Sequence, residues 1–356
     1  MLEPNVCLDD KTILITGAAG FIGANFTLKV LDECRNVNVI GLDNMNNYYD
    51  VALKEYRLRK IEEAFKTRID SKWTFVRGDL SDAAMLNKLF EERRPSVVVN
   101  LAAQAGVRYS ITNPQAYIES NVIGFFNILE CCRHHPVEHL VYASSSSVYG
   151  NNAKIPFSTD DKVDTPVSLY AATKKSNELF AHSYSKLYGI PTTGLRFFTV
   201  YGPAGRPDMA YFSFTNKLIQ GKTIEIFNYG NCKRDFTYVA DIVEGVFRVL
   251  RCAPEQKTGA DGLPIPPYRI YNIGNNAPEN LLEFVDILRQ ELVRAKVLPE
   301  NYDFAAHTKL VPMQPGDVEV TYADVSALER DFGYKPSTSL RDGLRAFAEW
   351  YKEFYG

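Results

Sequence analysis

The chain has 356 residues, 46% hydrophobic and 23% charged, with a formal net charge of -3; this is an ordinary globular composition for one large domain or two smaller ones. It offers no basic surplus for nucleic acid, no polybasic run for a membrane surface, and nothing near the roughly 18 uninterrupted apolar residues of a membrane span. The opening MLEPNVCLDDKT is unlike a signal peptide, the six cysteines form no CxxC pair, and the five histidines show no HxxxH or HExxH spacing, so the expectation is a cytoplasmic protein with reduced thiols and no metal.

Thr12–Thr16 reads as a buried strand, followed by a helix from Phe21 to about Glu33. Further strands are expected at Val37–Asp43, Trp73–Asp79, Ser96–Ala102 and His139–Ser144, with long helices at Pro114–His134 and Pro166–Tyr188. Strand–helix alternation with continuously apolar strands predicts a Rossmann-type, doubly wound parallel α/β sheet covered on both faces. After Phe197 the pattern becomes loop-rich and mixed, with prolines at 203, 207, 264, 266 and 267. Residues 1–197 are therefore assigned to a dinucleotide-binding domain, to which the chain returns around 236–275. Residues 198–356 are assigned to a smaller C-terminal α+β domain over the carboxyl edge of the sheet.

Thr16-Gly17-Ala-Ala-Gly20-Phe21-Ile22-Gly23 links the first strand to the first helix. Its GxxGxxG spacing is one residue off the GxGxxG pattern, with the same physics: a tight turn, a close backbone approach to pyrophosphate, close helix packing, and helix N–H groups aimed at phosphate. Asp43 lies 20 residues past Gly23 at a strand end, where a carboxylate binds the adenosine ribose hydroxyls and repels a 2′-phosphate, favouring NAD over NADP. Asp79, the Leu101-Ala102-Ala103 strand end and Asn121 are further candidates, against capping or packing roles for each.

Tyr170-Ala-Ala-Thr-Lys174 places a phenol and an ammonium on one helical face. A free phenol, with pKa near 10, is a poor base at neutral pH, and a neighbouring ammonium is expected to lower it. Thr165-Pro166 reads as the helix start. Upstream, Ser144-Ser145-Ser146-Ser147 closes a strand, so a hydroxyl there is placed to serve the substrate oxygen; the alternative is a polar turn capping its own backbone.

Together these motifs resemble the extended short-chain dehydrogenase/reductases, and more narrowly the UDP-glucuronate 4-epimerases. The likeness rests on Asn44-Met-Asn46-Asn47-Tyr48-Tyr49, the Ala102–Ser110 stretch through Arg108, Leu195–Ala210 through Thr199 and Arg206, Lys233–Tyr238, and Met313–Asp317. It implies NAD as a resident cofactor, Tyr170 as base, Lys174 as its partner and Ser145 as the catalytic hydroxyl. It adds Phe21, Ile22, Asn44, Asn46, Leu80, Ser144 and Phe198 along the cofactor, and Arg108 along the substrate. Arg234 is implied near the UDP phosphates, Gln314 and Asp317 near the uridine, and Ser146, Ser147, Thr199 and Arg206 around the sugar carboxylate. On this reading residues 198–356 bind the UDP-sugar, and the helices 114–134 and 166–188 pair across a homodimer axis. Two departures are Ala204, where an aromatic residue is expected, and Ala240, where an acid is common.

The implied reaction interconverts UDP-glucuronate and UDP-galacturonate through a 4-keto sugar. Its hazard is that a 4-keto uronic acid is a β-keto acid and loses CO2 readily. Decarboxylase relatives place a Glu, and dehydratase relatives an Asp-Glu pair, in the serine segment; none stands there, which argues against elimination. A 4-epimerase of a neutral UDP-sugar is the closer alternative, although it has no need of Arg206. A non-catalytic cofactor sensor is a more distant one, opposed by the intact Tyr170 and Lys174.

Overall fold

The computed structural model describes residues 1–313 and 319–356. Its centre is a seven-stranded, wholly parallel sheet. In chain order its strands are β1 (Thr12–Thr16), β2 (Asn38–Asp43), β3 (Lys72–Arg77), β4 (Val97–Asn100), β5 (His139–Ser145), β6 (Thr192–Phe197) and β7 (Tyr268–Ile273). Across the sheet the order is 7-6-5-4-1-2-3. The chain winds outward from β1 to β3, then returns to the other side of β1 as β4. This reversal opens a crevice beyond the carboxyl ends of β1 and β4, the place where open α/β sheets bind ligands.

Alternation along the strands builds two cores. Ile13 and Ile15, with Val97, Val99 and Val141, face α1 (Phe21–Glu33). Leu14, Val98 and Leu140 face the opposite layer, where Leu86 and Phe90 of α3 (Ala83–Arg93) meet Phe125 and Ile128 of α4 (Gly124–His134). All are essentially inaccessible. Burial on both faces explains why these strands read as unbroken apolar runs rather than alternating ones.

α2 (Val51–Lys66) and α5 (Leu169–Tyr188) complete the layers that matter for the site. Ser168 caps α5, its hydroxyl accepting from Ala171 N at 3.1 Å. The helix therefore begins at Leu169, and Thr165-Pro166 lies in the loop before it. The expected helix Pro114–His134 is also not uniform. A single turn at Pro114–Tyr117 runs into a widened π-helical turn, Ile118–Ile123, before α4 begins at Gly124.

After β6 the chain forms short strands at Thr199–Tyr201, Lys233–Tyr238 and Pro278–Asn280, which pair as a small sheet. Three helices pack beside it: α6 (Ala210–Ile219), α8 (Leu281–Arg294) and α10 (Leu340–Tyr355). Their aromatic core joins Tyr211 and Phe212 to Phe284, Phe347 and Trp350. Between α6 and α8 the chain returns to the main sheet. There α7 (Val239–Leu250) packs against α1 and β7 joins the edge of β6. The short helix α9 (Ser326–Phe332) packs against β7. Among the described residues no helix is long and apolar enough to cross a membrane, and no cluster of His, Cys, Asp or Glu is arranged to hold a metal ion.

Candidate active site

A cleft of about 1080 Å³ lies over the carboxyl ends of the strands, between the main sheet and the C-terminal helices. Single-ligand pockets run to roughly 1,000 Å³, so this one has room for more than one ligand group. Its floor is built at the switch point. Thr16 Oγ1 donates to Asn100 Oδ1 at 2.6 Å and accepts from Ala102 N at 3.1 Å, tying the ends of β1 and β4 together. Gly17 then turns with φ +69°, and a Cβ there would come within 2.8 Å of Ala102 N, so only glycine fits. Gly20 caps α1 without any side-chain hydrogen bond, and the first turn carries no acid. That leaves a helix N-terminus suited to an anion. The glycine-tight turn and uncapped helix end fit a dinucleotide pyrophosphate.

Asp43, at the end of β2, accepts from Ala19 N at 3.2 Å and from Met45 N at 2.9 Å. A cation that spacing does not mark stands beside it: Lys54 Nζ of α2 lies 3.5 Å from Asp43 Oδ1 and donates to Asn46 Oδ1 at 3.1 Å. Burial raises the Asp79 carboxyl, but hydrogen bonds from Asn44 and Ser81 outweigh it and hold the group below its usual range. Phe21, Ile22, Gly23, Asn44, Leu80, Leu101, Ala103 and Phe198 line the same cleft.

Two cofactor candidates direct their polar groups into the protein. Asn121 is buried, and its carboxamide accepts from Gln104 N and donates to Gln104 O and Thr173 Oγ1. Carried on the π-helical turn, it braces the strand-end backbone that borders the cleft. Ser144 directs its hydroxyl away, donating to Glu178 Oε1 at 2.7 Å. Glu178 in turn grips Arg196 through two bonds of 2.8 and 2.9 Å.

Tyr170, Lys174 and Ser145 converge where the head of α5 meets the end of β5. Burial raises the Tyr170 phenol, against the opposing pull of the Ser145 hydroxyl and the Arg206 charge. Lys174, one helical turn further on, donates from Nζ to Ala143 O at 2.9 Å, and burial pushes its pKa down to about 8. Ser145 Oγ accepts from Ser147 N at 3.1 Å, so its proton remains available for another acceptor. The capping role considered for the serines is thus real for Ser145, yet compatible with a second role.

Across the cleft, Arg206 pairs with Asp208 through Nε at 3.1 Å and through Nη2, and Tyr48 Oη donates to the same carboxylate at 3.3 Å. Burial and then Asp208 push the Tyr48 phenol up to about 12. Ser146, Ser147 and Thr199 line the same cleft, from the turn after β5 and the short strand after β6. Arg234 lies on Lys233–Tyr238 and donates to Lys233 O and Glu319 O, both at 3.0 Å. Arg108 is exposed at the rim, its guanidinium over the Phe227 ring at 5.4 Å. Gln314 and Asp317 lie outside the described residues. Of the two departures, Ala204 packs into the C-terminal core with a left-handed φ of +50°, and Ala240 is exposed. Next to Ala240, Asp241 accepts from Thr338 N at 3.0 Å.

The family model for the NAD dependent epimerase/dehydratase family matches residues 13–274. The protein CapI of Staphylococcus aureus is 51% identical over 349 residues, covering 96% of this chain and 99% of CapI. UDP-glucuronate 4-epimerase 3 of Arabidopsis thaliana is 46% identical over 355 residues, covering 97% of this chain and 77% of the plant protein. Among solved structures, UDP-glucuronic acid 4-epimerase from Bacillus cereus, in complex with UDP-glucuronic acid and NAD, superposes with a TM-score of 0.81 at 31% identity. It covers 97% of this chain and 100% of its own. With a glycine turn fit for pyrophosphate and a Tyr–Lys–Ser group beside it, the chain belongs to the NAD dependent epimerase/dehydratase family.

Proposed function

We propose that this chain is an NAD-dependent 4-epimerase interconverting UDP-glucuronate and UDP-galacturonate. The observation that carries the reading is the pairing of two groups in one cleft. A phenol with a hydroxyl neighbour (Tyr170, Ser145) shares the cleft with Arg206, whose charge acts on that phenol, and with the hydroxyls of Ser146, Ser147 and Thr199. The likeness to UDP-glucuronate 4-epimerases supports it.

Gly17, Gly20 and the α1 N-terminus would hold the NAD pyrophosphate, and Asp43 the adenosine ribose. When bound, NAD supplies the group that takes up the hydrogen from C4 of the sugar as hydride and later returns it. In its phenolate form Tyr170 accepts the 4-hydroxyl proton as the sugar is oxidised, becoming the phenol that gives the proton back on reduction. Ser145 Oγ shares that proton's path. Lys174 contributes positive charge behind the phenol while Ala143 O fixes its position. The Arg234 guanidinium holds the UDP end, so that the 4-keto sugar can present its other face before reduction.

Arg206 grips the C6 carboxylate through charged hydrogen bonds, the strong kind, while Ser146, Ser147 and Thr199 complete the cradle. Held there, the carboxylate stays out of line with the C4 ketone and does not leave as CO2. The four serines at 144–147 provide no acid for elimination or decarboxylation.

The protein acts in the reducing cytosol, its cysteines free as thiols, and assembles as a homodimer. Ile111, Phe126, Leu179 and Leu187 are exposed along neighbouring helices and supply an apolar surface for that pairing. The deciding experiment is incubation with UDP-glucuronate without added NAD. UDP-galacturonate with no CO2 is expected. UDP-pentose with CO2 points instead to a decarboxylase, and no turnover of UDP-glucuronate beside epimerised UDP-galactose to a neutral-sugar enzyme.

A further inference from the structure

Arg57 lies in α2 and is almost wholly buried. All five of its N–H donors are engaged. Nε donates to Ala204 O at 2.9 Å, and Nη2 to Ala204 O at 2.7 Å and Gly205 O at 2.9 Å. Nη1 donates to Ala19 O at 3.0 Å and to Tyr49 Oη at 2.7 Å. These partners are neutral oxygens, an expensive way to bury a cation unless the geometry is needed.

The partners come from two functional loops. Ala19 belongs to the turn between β1 and α1 that fits the pyrophosphate. Ala204 and Gly205 immediately precede Arg206. Two successive carbonyls converge on one guanidinium because Ala204 adopts φ +50° and Gly205 is pressed against Tyr211, where a Cβ would come within 1.7 Å of the phenol oxygen. The Arg206 loop is therefore shaped around the Arg57 fork.

We propose that Arg57 is a positioning residue that ties the Arg206 loop to the phosphate-binding turn, so that preference for a carboxylated UDP-sugar depends on a side chain assigned no contact with the sugar. The proposal rests on Arg206 reading the carboxylate, as set out above. The fork geometry is essential to it: a lysine keeps the charge but has a single nitrogen, which cannot reach Ala19 O, Ala204 O and Gly205 O together.

The test measures dissociation constants of UDP-glucuronate and UDP-glucose on the NAD-loaded protein, in wild type, Arg57→Lys, Arg206→Ala and the double variant. Their ratio is the readout, because general structural damage weakens both ligands alike and leaves the ratio unmoved. Arg57→Lys is expected to lower the preference for UDP-glucuronate about tenfold, within the range of couplings carried through packed networks. It should have no further effect once Arg206 is alanine. A ratio within about twofold of wild type in Arg57→Lys, with Arg206→Ala collapsing it, overturns the role of Arg57 alone. A ratio unchanged in Arg206→Ala removes the carboxylate reading, and the proposal with it. Arg57→Lys retains charge and bulk, so the test stands even where Arg57→Met does not fold.

Discussion

At the head of α5 the proposed chemical partners, Tyr170 and Lys174, have opposite electrostatic problems. Burial raises the Tyr170 phenol and lowers the Lys174 ammonium to about 8. A drop of that size from the ordinary lysine value corresponds to about 3 kcal/mol of destabilisation. Its sign is fixed by proton binding: between about pH 8 and 10.5 the unfolded chain holds more protons here than the folded one. The destabilisation is therefore fully present below pH 8 and fades as pH rises towards 10.5. Lys174→Met should abolish turnover yet unfold at higher denaturant at pH 7, by about 1–2 kcal/mol after the loss of the Ala143 O bond. The advantage over wild type should vanish in parallel melts at pH 10. Asp43 invites a second substitution. Asp43→Ala should shift cofactor preference towards NADP, since the repelling carboxylate goes and Lys54 is left to meet a 2′-phosphate. Titrating both cofactors against Asp43→Ala and Asp43→Ala/Lys54→Met checks it, the double variant losing the gain. Spacing reveals Tyr170, Lys174 and Asp43 because a helical turn and a strand end fix where such residues point. It does not reveal Lys54 or Arg57, three apart on a charged helix, because burial of a cation is decided by which distant carbonyls and carboxylates fold onto it.

Elements carry a different kind of information. α1 and the first five strands fall close to their expected bounds because their apolar periods are strong and they are packed on both faces of the sheet. The segment 114–134 does not, since the widening at Ile118–Ile123 reflects the fit of Asn121 to Gln104 and Thr173, a tertiary demand invisible to local propensity. α5 is held to the sheet by a buried ionic junction, with Glu178 accepting from Arg196 on β6 and Ser144 on β5. Glu178→Gln leaves that guanidinium without its counter-charge and should cost about 3–5 kcal/mol in chemical denaturation. Because Ser144 adjoins Ser145, the loss of activity should exceed what the unfolded fraction explains.

At the scale of the whole molecule, the motifs indicate the sheet and its crevice and the return of the chain around 236–275, where α7 and β7 lie, while the strand order emerges only from the assembled fold. The proposed homodimer makes its own prediction. Phe126→Glu with Leu179→Glu places charges on two exposed apolar sites of neighbouring helices. Light scattering should then report a monomer, with the NAD site intact; an unchanged mass excludes this surface as the interface.

The late arrival of β7 also bears on how the chain is made. β6 is buried at all six positions and pairs with β7 along its full length, but residues 198–267 must be synthesised before that neighbour exists. At roughly 5–20 residues per second, translation leaves the flank of β6 open for about 4–14 seconds. An open strand flank, with its row of unpaired N–H and C=O groups, is a template for any other extended chain. The nascent protein thus passes through a sticky interval that the finished one never shows, and the yield of folded enzyme should follow ribosome speed and chaperone supply over that stretch.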